Sequence, residues 1–321
     1  MAASCAKSEV NYEPSGQVTL APVKGNVTKA EGKEGALKTL NTNQGLHIYA
    51  FWTREVQGEK LTDCYINNDP FTYNSTYGAW AGAEGRSCPW PLHGTLSFTG
   101  YTTMPDTQKA VASYNEGNSI SIANYVNDEF DFCWFGLTEG CNNKVDGAAV
   151  EVTLNHALTW ITIKAYGEGT PVGRWQITSL ELVNAIKEGG ATCYGSTGKA
   201  EWHAYVDENE NELGRGNVPL SIIQAAQNTE GTHTITNTPT ILTNNIVIPQ
   251  TPTELIINYA YQVGQTTKTD SRTVNLKLND NNKKWESGVH YTYTLFFKSN
   301  DIQVAPSFGT WGSTDQNITV E

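Results

Sequence analysis

The chain is 321 residues long, with 33 acidic against 21 basic side chains and a net charge of −12. Only 17% of residues are charged, whereas Gly (29), Tyr (15) and Trp (9) are plentiful, a composition that favours strands joined by turns over coiled coil or disordered tail. The acidic balance offers no phosphate-binding face, so no nucleic-acid partner is expected, and no apolar run approaches the roughly 18 residues of a membrane-crossing helix.

Residues 1–16 read as a polar tether. Within it, Met1-Ala2-Ala3-Ser4-Cys5 places small residues at the three positions before a cysteine, as a lipoprotein signal peptidase accepts. Diacylglyceryl attachment at Cys5 is one reading and requires a signal segment upstream of Met1; an ordinary cysteine in a polar tail is the other. Gln17–Val23 is the first strand expected, followed by a soft stretch, 24–38, with four lysines and three glycines. Leu46–Trp52 is a second strand. Thr53–Leu92 reads as turns with short strands, Thr95–Tyr101 alternates as a strand, and Asp106 caps a short helix running to Tyr114. Phe130–Phe135 is a short buried strand.

The polar run Asn142–Gly147 marks a domain boundary, dividing 17–147 from 148–321. Beyond it Val150, Val152 and Leu154 alternate, as do Ile161, Ile163 and Ala165, with a phase break at His156-Ala157-Leu158. Two largely separate cores are expected, with Phe98, Tyr101, Phe130 and Phe132 in the first and His156 and Trp160 in the second. Ile177–Val183, Thr240–Ile248, Leu255–Val263, Arg272–Leu278 and Val289–Lys298 are further strands; the last two have a clean period of two and read as a hairpin through Asn279–Lys284. Pro219–Gln227 is a second short helix, and a strand near Asn317–Val320 ends the chain. Many short strands with one or two short helices indicate an all-β protein of sandwich type.

Chemistry is sparse. Asp207–Glu212 opens like a calcium loop, but Glu212 stands where the glycine is required and Val218 where the closing glutamate is, so it reads as a hairpin tip. Gly190–Thr197 has the glycine spacing of a phosphate loop with Ser196 in place of lysine, and reads as a loop. The six histidines show no metal-ligand spacing, and His156, at the phase break, reads as a buried or capping residue. No catalytic, metal or cofactor site is expected. Of the cysteines, Cys133 with Cys141 and Cys64 with Cys88 are open pairings. Trp80, Trp90, Trp134, Trp160, Trp175 and Trp202 admit two readings: core residues, or a stacking platform for glycans.

Four segments in order resemble the fimbrillin family, the type V pilus subunits of Bacteroidales. They are Trp90-Pro91 with Ser97-Phe98-Thr99-Gly100-Tyr101 and Pro105, where Gly100 replaces the family's usual alanine; Val152 to Lys164, carrying His156-Ala157-Leu158; Ile177 to Asn184; and Trp285 to Leu295, including Gly288, Tyr291 and Tyr293, with Pro306 and Trp311 downstream. The resemblance implies two transthyretin-like β-sandwich domains and an outer-membrane lipoprotein precursor that assembles with copies of itself or related subunits. It implies clipping by an arginine- or lysine-specific protease, here in Thr28-Lys29-Ala30, between Lys29 and Ala30, with lysine where the family often has arginine. The first strand, with Val18, Leu20 and Val23 on its apolar face, would then be displaced by a neighbour's strand. Gly309–Glu321, with Trp311, Ile318 and Val320, is one choice of donor; completion of the second domain's own sheet is the other reading of that segment.

Overall fold

The computed structural model describes residues 15–24, 42–115, 117–128, 130–142, 148–209, 211–223, 232–276, 283–298, 301–310 and 316–317. In the first half the strands are β1 (Ser15–Gln17), β2 (Thr19–Lys24), β3 (Leu46–Val56), β4 (Glu59–Asn74), β5 (Ala79–Gly82), β6 (Pro89–Trp90), β7 (Thr95–Thr102), β8 (Val111–Asn115), β9 (Ser119–Val126), β10 (Cys133–Cys141) and β11 (Val150–His156). Seven of them close into a barrel in the order β10-β11-β2-β5-β4-β3-β7, with β7 pairing back to β10. Period-two alternation fills it. Leu46, Ile48 and Ala50 of β3, Leu96 and Phe98 of β7, and Cys133 and Phe135 of β10 share one buried cluster. Their alternating neighbours Tyr49, Tyr101 and Trp134 belong to another.

The second half contains β12 (Thr159–Gly167), β13 (Trp175–Ile186), β14 (Glu188–Tyr194), β15 (Lys199–Val206), β16 (Glu212–Leu213), β17 (Arg215–Leu220), β18 (His233–Thr234), β19 (Thr240–Val247), β20 (Glu254–Val263), β21 (Thr266–Asn275), β22 (Val289–Phe297), β23 (Ile302–Thr310) and β24 (Gln316–Asn317). Two sheets, β19-β12-β22-β23-β24 and β17-β13-β20-β21 with β18 beside β13, enclose a core that includes Ile161, Leu180, Ile257, Trp285 and Tyr293. The protein is all-β, as the composition indicates, and is built of sandwich-type domains.

A third sheet ties the halves together. Its order is β16-β15-β14-β9-β8, so strands from residues 111–126 and 188–213 lie side by side. It covers a third core in which Tyr101, Phe132 and Trp134 meet Leu158, Trp160 and Ile246, with Phe130 packed against them. Tyr101, Phe130, Phe132 and Trp160, expected in separate cores, therefore share one. Sequence periodicity shows that a strand has an apolar face but not which neighbour covers it. Similarly, β11 follows the polar run 142–147, yet it pairs with β10 and with β2, and Val150, Val152 and Leu154 sit in the barrel core. Barrel pairing thus continues past residue 147 to His156.

Other expectations change for local reasons. No helix forms among the described residues. Pro105 to Gln108 is a turn closed by Gln108 N donating to Pro105 O (2.9 Å). Gln108 then grips β9, donating through Nε2 to Val126 O and accepting at Oε1 from Val126 N. Val111 is 63% exposed and leads β8, which pairs with β9, so the helical face read there does not exist. Pro219 and Leu220 lie in β17, an edge strand where proline's missing N–H costs little; residues 224–227 lie outside the described ones. The segment Thr53–Leu92 holds the 16-residue β4, whose first half is exposed and polar and so shows no apolar alternation. Gln57 and Gly58, both at positive φ, turn β3 into β4.

The matched alternation of 272–278 and 289–298 misleads in another way. β21 pairs with β20 through the turn at Gly264, while β22 lies between β12 and β23 in the opposite sheet. The two segments are not a hairpin; they face one core from two sides. Gly190 is in β14 rather than a loop, paired with His203 of β15, and a Cβ there would stand 2.8 Å from His203 Nε2. No disulfide joins Cys64, Cys88, Cys133, Cys141 or Cys193; Cys133 and Cys141 occupy one strand, eight residues and about 27 Å apart, beyond any disulfide.

Candidate functional site

β2 is the strand on which closure of the barrel depends. It runs parallel to β11, from Leu20 beside Val150 to Lys24 beside Leu154. On its other side it pairs with β5 only at Thr19 and Leu20. Val18 and Leu20 are fully buried, each burial contributing about 1.5–3 kcal/mol. Leu20 stands opposite Trp80, whose indole donates to Gln44 O at 2.8 Å. Just before the strand, Gln17 is held at both ends of its amide: Nε2 lies 3.0 Å from Ser87 Oγ, and Oε1 accepts from Cys88 N at 2.8 Å. Val18 N donates to Cys88 O at 2.8 Å.

Parallel pairing matters here. A strand added beside β11 in this direction cannot arrive by a tight hairpin and needs a connection that returns along the sheet. The chain leaves β2 at Lys24 and rejoins the barrel at Leu46 in β3. Without β2 the barrel would open between β11 and β5, exposing an unpaired backbone edge above the apolar residues that Val18 and Leu20 now cover.

Val18 and Leu20 therefore lie where an apolar strand face requires, and the backbone of Val23 pairs beside Thr153. Cys5, Lys29, Ala30, Trp311, Ile318 and Val320 lie outside the described residues. At the other end of the chain, β23 pairs along β22 from Ile302 to Thr310, and β24 touches β23 at Ser307 and Phe308.

The remaining candidate chemistry resolves into structure. Asp207 accepts from Asn209 N and Asn211 N at 2.8 and 2.9 Å and from the Asn211 amide. These hydrogen bonds hold its carboxyl below the usual range and build the hairpin tip between β15 and β16. Trp80, Trp90, Trp134, Trp160 and Trp175 are buried, and Trp202 donates to Ala157 O at 2.6 Å. They are packing and hydrogen-bonding residues, not an exposed platform. A cleft of about 270 Å³ beside β9, β17 and β19 is lined by Val126, Leu220, Ile246 and Val247, without an aromatic wall.

A sequence model described as fimbrillin-like matches residues 28–311. The chain belongs to the fimbrillin-like family. Its fold is similar to that of a fimbrial protein from Bacteroides vulgatus ATCC 8482, at 16% identity over 92% of this chain and 99% of that one, with a TM-score of 0.61. It is also similar to candidate cell adhesion proteins from Bacteroides ovatus ATCC 8483 (13% identity, 96% and 100% covered, TM-score 0.55) and Bacteroides uniformis ATCC 8492 (16% identity, 92% and 99% covered, TM-score 0.53). Among curated proteins none is close enough in sequence to match. As a fimbrillin-like protein the chain is a structural, non-enzymatic component of a cell-surface fimbrium.

Proposed function

We propose that this fimbrillin-like chain is a pilus subunit exported as a lipoprotein, anchored to the outer membrane through acylated Cys5, and polymerised by protease-triggered strand exchange. The observation that supports this most directly is the position of β2: fully buried at Leu20 and at Val18 just before it, parallel to β11, and lightly paired to β5. Cleavage by an arginine- or lysine-specific protease between Lys29 and Ala30 would detach β2 from the rest of the barrel. A strand from another subunit could then take its place, with main-chain hydrogen bonds giving affinity and alternating side chains giving register. Until clipping, β2 guards an edge that would otherwise aggregate.

The donor we propose is the C-terminal segment 309–321, carrying Trp311, Ile318 and Val320. The short pairing of β24 with β23 is compatible with release, whereas the long pairing of β23 with β22 would keep the root of the donor on its own domain. The organisation we propose is a tether ahead of β1, a first unit from Ser15 to His156 and a second unit from Thr159.

The test compares intact protein, protein clipped by a lysine-specific protease, and clipped protein lacking residues 311–321. Clipped full-length protein is expected to form a heat-resistant ladder in a denaturing gel, and the other two are not. Equal polymerisation by unclipped protein would overturn the mechanism; equal polymerisation by the truncated protein would overturn the donor assignment. Separately, Cys5→Ser in the precursor is expected to abolish lipid labelling, and unchanged labelling would remove the anchor.

A further inference from the structure

Asp131, Cys133 and His156 converge where the barrel passes the chain to the second sandwich. Cys133 and His156 are register partners on β10 and β11, and both are buried, at 0% and 4% exposure. Asp131 precedes β10 by two residues. Ala157 N donates to Phe132 O at 3.0 Å, which fixes the two segments against each other. Asp131 Oδ1 lies 2.8 Å from His156 Nδ1, and Cys133 Sγ lies 3.5 Å from that same nitrogen. One donor atom from each of the three residues falls within 4.8 Å of the other two.

A carboxylate, an imidazole and a thiol gathered where β10 starts and β11 ends, with Cys133 and His156 buried, are a costly way to fill space that apolar side chains could fill. Their chemistry matches a borderline divalent ion that accepts sulfur, nitrogen and oxygen together. At zinc bond lengths and a tetrahedral angle, such donors stand about 3.3–3.6 Å apart. The sulfur–nitrogen separation already has that value. The carboxylate–imidazole edge is at hydrogen-bond length and would open by about half an ångström as the ion replaces the bridging proton.

We propose that Asp131, Cys133 and His156 form a site for a zinc-class divalent cation that clips the ends of β10 and β11 together at the junction of the two halves. The ion binds through one carboxylate oxygen, the thiolate sulfur and Nδ1. Water takes the fourth position on the side of Asp131, whose side chain is 16% exposed. Binding is ligand exchange without electron transfer: the thiol proton and the proton bridging Asp131 Oδ1 and His156 Nδ1 are both displaced to solvent, and the coordinating imidazole is the neutral tautomer with its proton on Nε2. Nothing in the sequence signals this site, because the three residues come from two segments and acquire their geometry only when β11 pairs with β10.

The test uses the full chain with Cys5→Ser and Cys64→Ser, stripped with a chelator and titrated with cobalt(II). One equivalent is expected to bind, giving the near-ultraviolet thiolate-to-cobalt absorption and the intense visible bands of a four-coordinate ion, both displaced by zinc. Cys133→Ala is expected to abolish the thiolate band while Cys88, Cys141 and Cys193 remain. Asp131→Asn, at the more exposed edge of the site, is expected to weaken binding at least about tenfold and carries the test if Cys133→Ala fails to fold. Zinc is expected to raise the thermal midpoint of the parent protein and not that of Asp131→Asn. Absence of stoichiometric cobalt, a thiolate band that persists without Cys133, or equal affinity in Asp131→Asn would each overturn the proposal.

Discussion

The two halves of the molecule close their sheets differently. In the second half, β12 runs beside β22 from Trp160 to Gly167, and β22 beside β23 from Val289 to Thr310. Each of these strands is held along most of its length. In the first half the barrel closes through β2, a six-residue strand that pairs along only one of its sides beyond Leu20. Leu20, and Val18 just before the strand, share the barrel core with Val150, Val152 and Leu154. The contrast is between a sandwich whose central strands β12 and β22 are held on both flanks and a barrel closed at one seam by a short strand with little pairing on one side. A β-protein that assembles by exchange needs one seam of this kind and no second one, since a second seam would let the subunit itself come apart.

Removing a large anchor from the second half tests its side of the comparison. Trp285 is 1% exposed and donates from Nε1 to Tyr293 OH at 2.8 Å. Trp285→Ala is expected to cost about 3–5 kcal/mol, read as a lowered urea midpoint. A small loss would mean that this core is looser than its pairing implies. Leu20→Ala is expected to cost about 2–5 kcal/mol by the same cavity argument, but with a different distribution. Amide exchange should accelerate in β2 and along β11 while β12 and β22 keep their protection. Uniform acceleration through the chain would show that the seam has no independence.

Gly100→Ala gives a smaller effect within the barrel wall. A Cβ at Gly100 would stand 2.3 Å from His47 O and 3.0 Å from Phe135 Cε1. The overpacking cost is expected to be about 1–3 kcal/mol, measured by denaturant unfolding. An alanine does not fit here, because β3 and the Phe135 ring approach too closely. A neutral or stabilising result would show that the wall yields at that point.

Most of the strand pattern was legible in the sequence because most strands bury one face. Thr95–Tyr101, 150–154, 161–165 and 289–298 alternate in sequence and are strands in the fold. What periodicity could not convey was partnership. Tyr101 and Trp160 are both half of an alternating pattern, yet the core they share is created by a sheet drawn from residues 111–126 and 188–213. β4 was hidden because its first half is exposed and polar, and β8 because Ala110, Val111 and Tyr114 also fit a helical stripe. The burial of Val18 and Leu20 was readable; the parallel pairing of β2 with β11 was not, because 126 residues separate Lys24 from Val150 and no local signal spans that gap.

The third core makes a last prediction, which concerns whether the halves unfold together. Burial pushes the Tyr101 hydroxyl up to about 12 in the shared core, where it donates to Asn68 Oδ1 and Ala112 O. Burial likewise pushes Tyr291 to about 12 in the core of the second half. Tyr125 and Tyr293 are raised further by the same cause. A raised tyrosine keeps its proton in the folded state after the unfolded chain has begun to lose it. Its contribution is therefore complete below the ordinary value of 10 and is lost as pH rises from 10 through 12. Since both halves carry such groups and share Tyr101, Phe132 and Trp160 in one core, alkaline unfolding is expected as a single transition in this window, with tyrosinate absorbance and circular dichroism changing together. Tyr101→Phe is expected to reduce the pH dependence by one proton, with no second transition appearing. Two separated alkaline transitions in the parent protein would show that the shared sheet does not couple the halves, and that the barrel can open as a whole rather than at its seam.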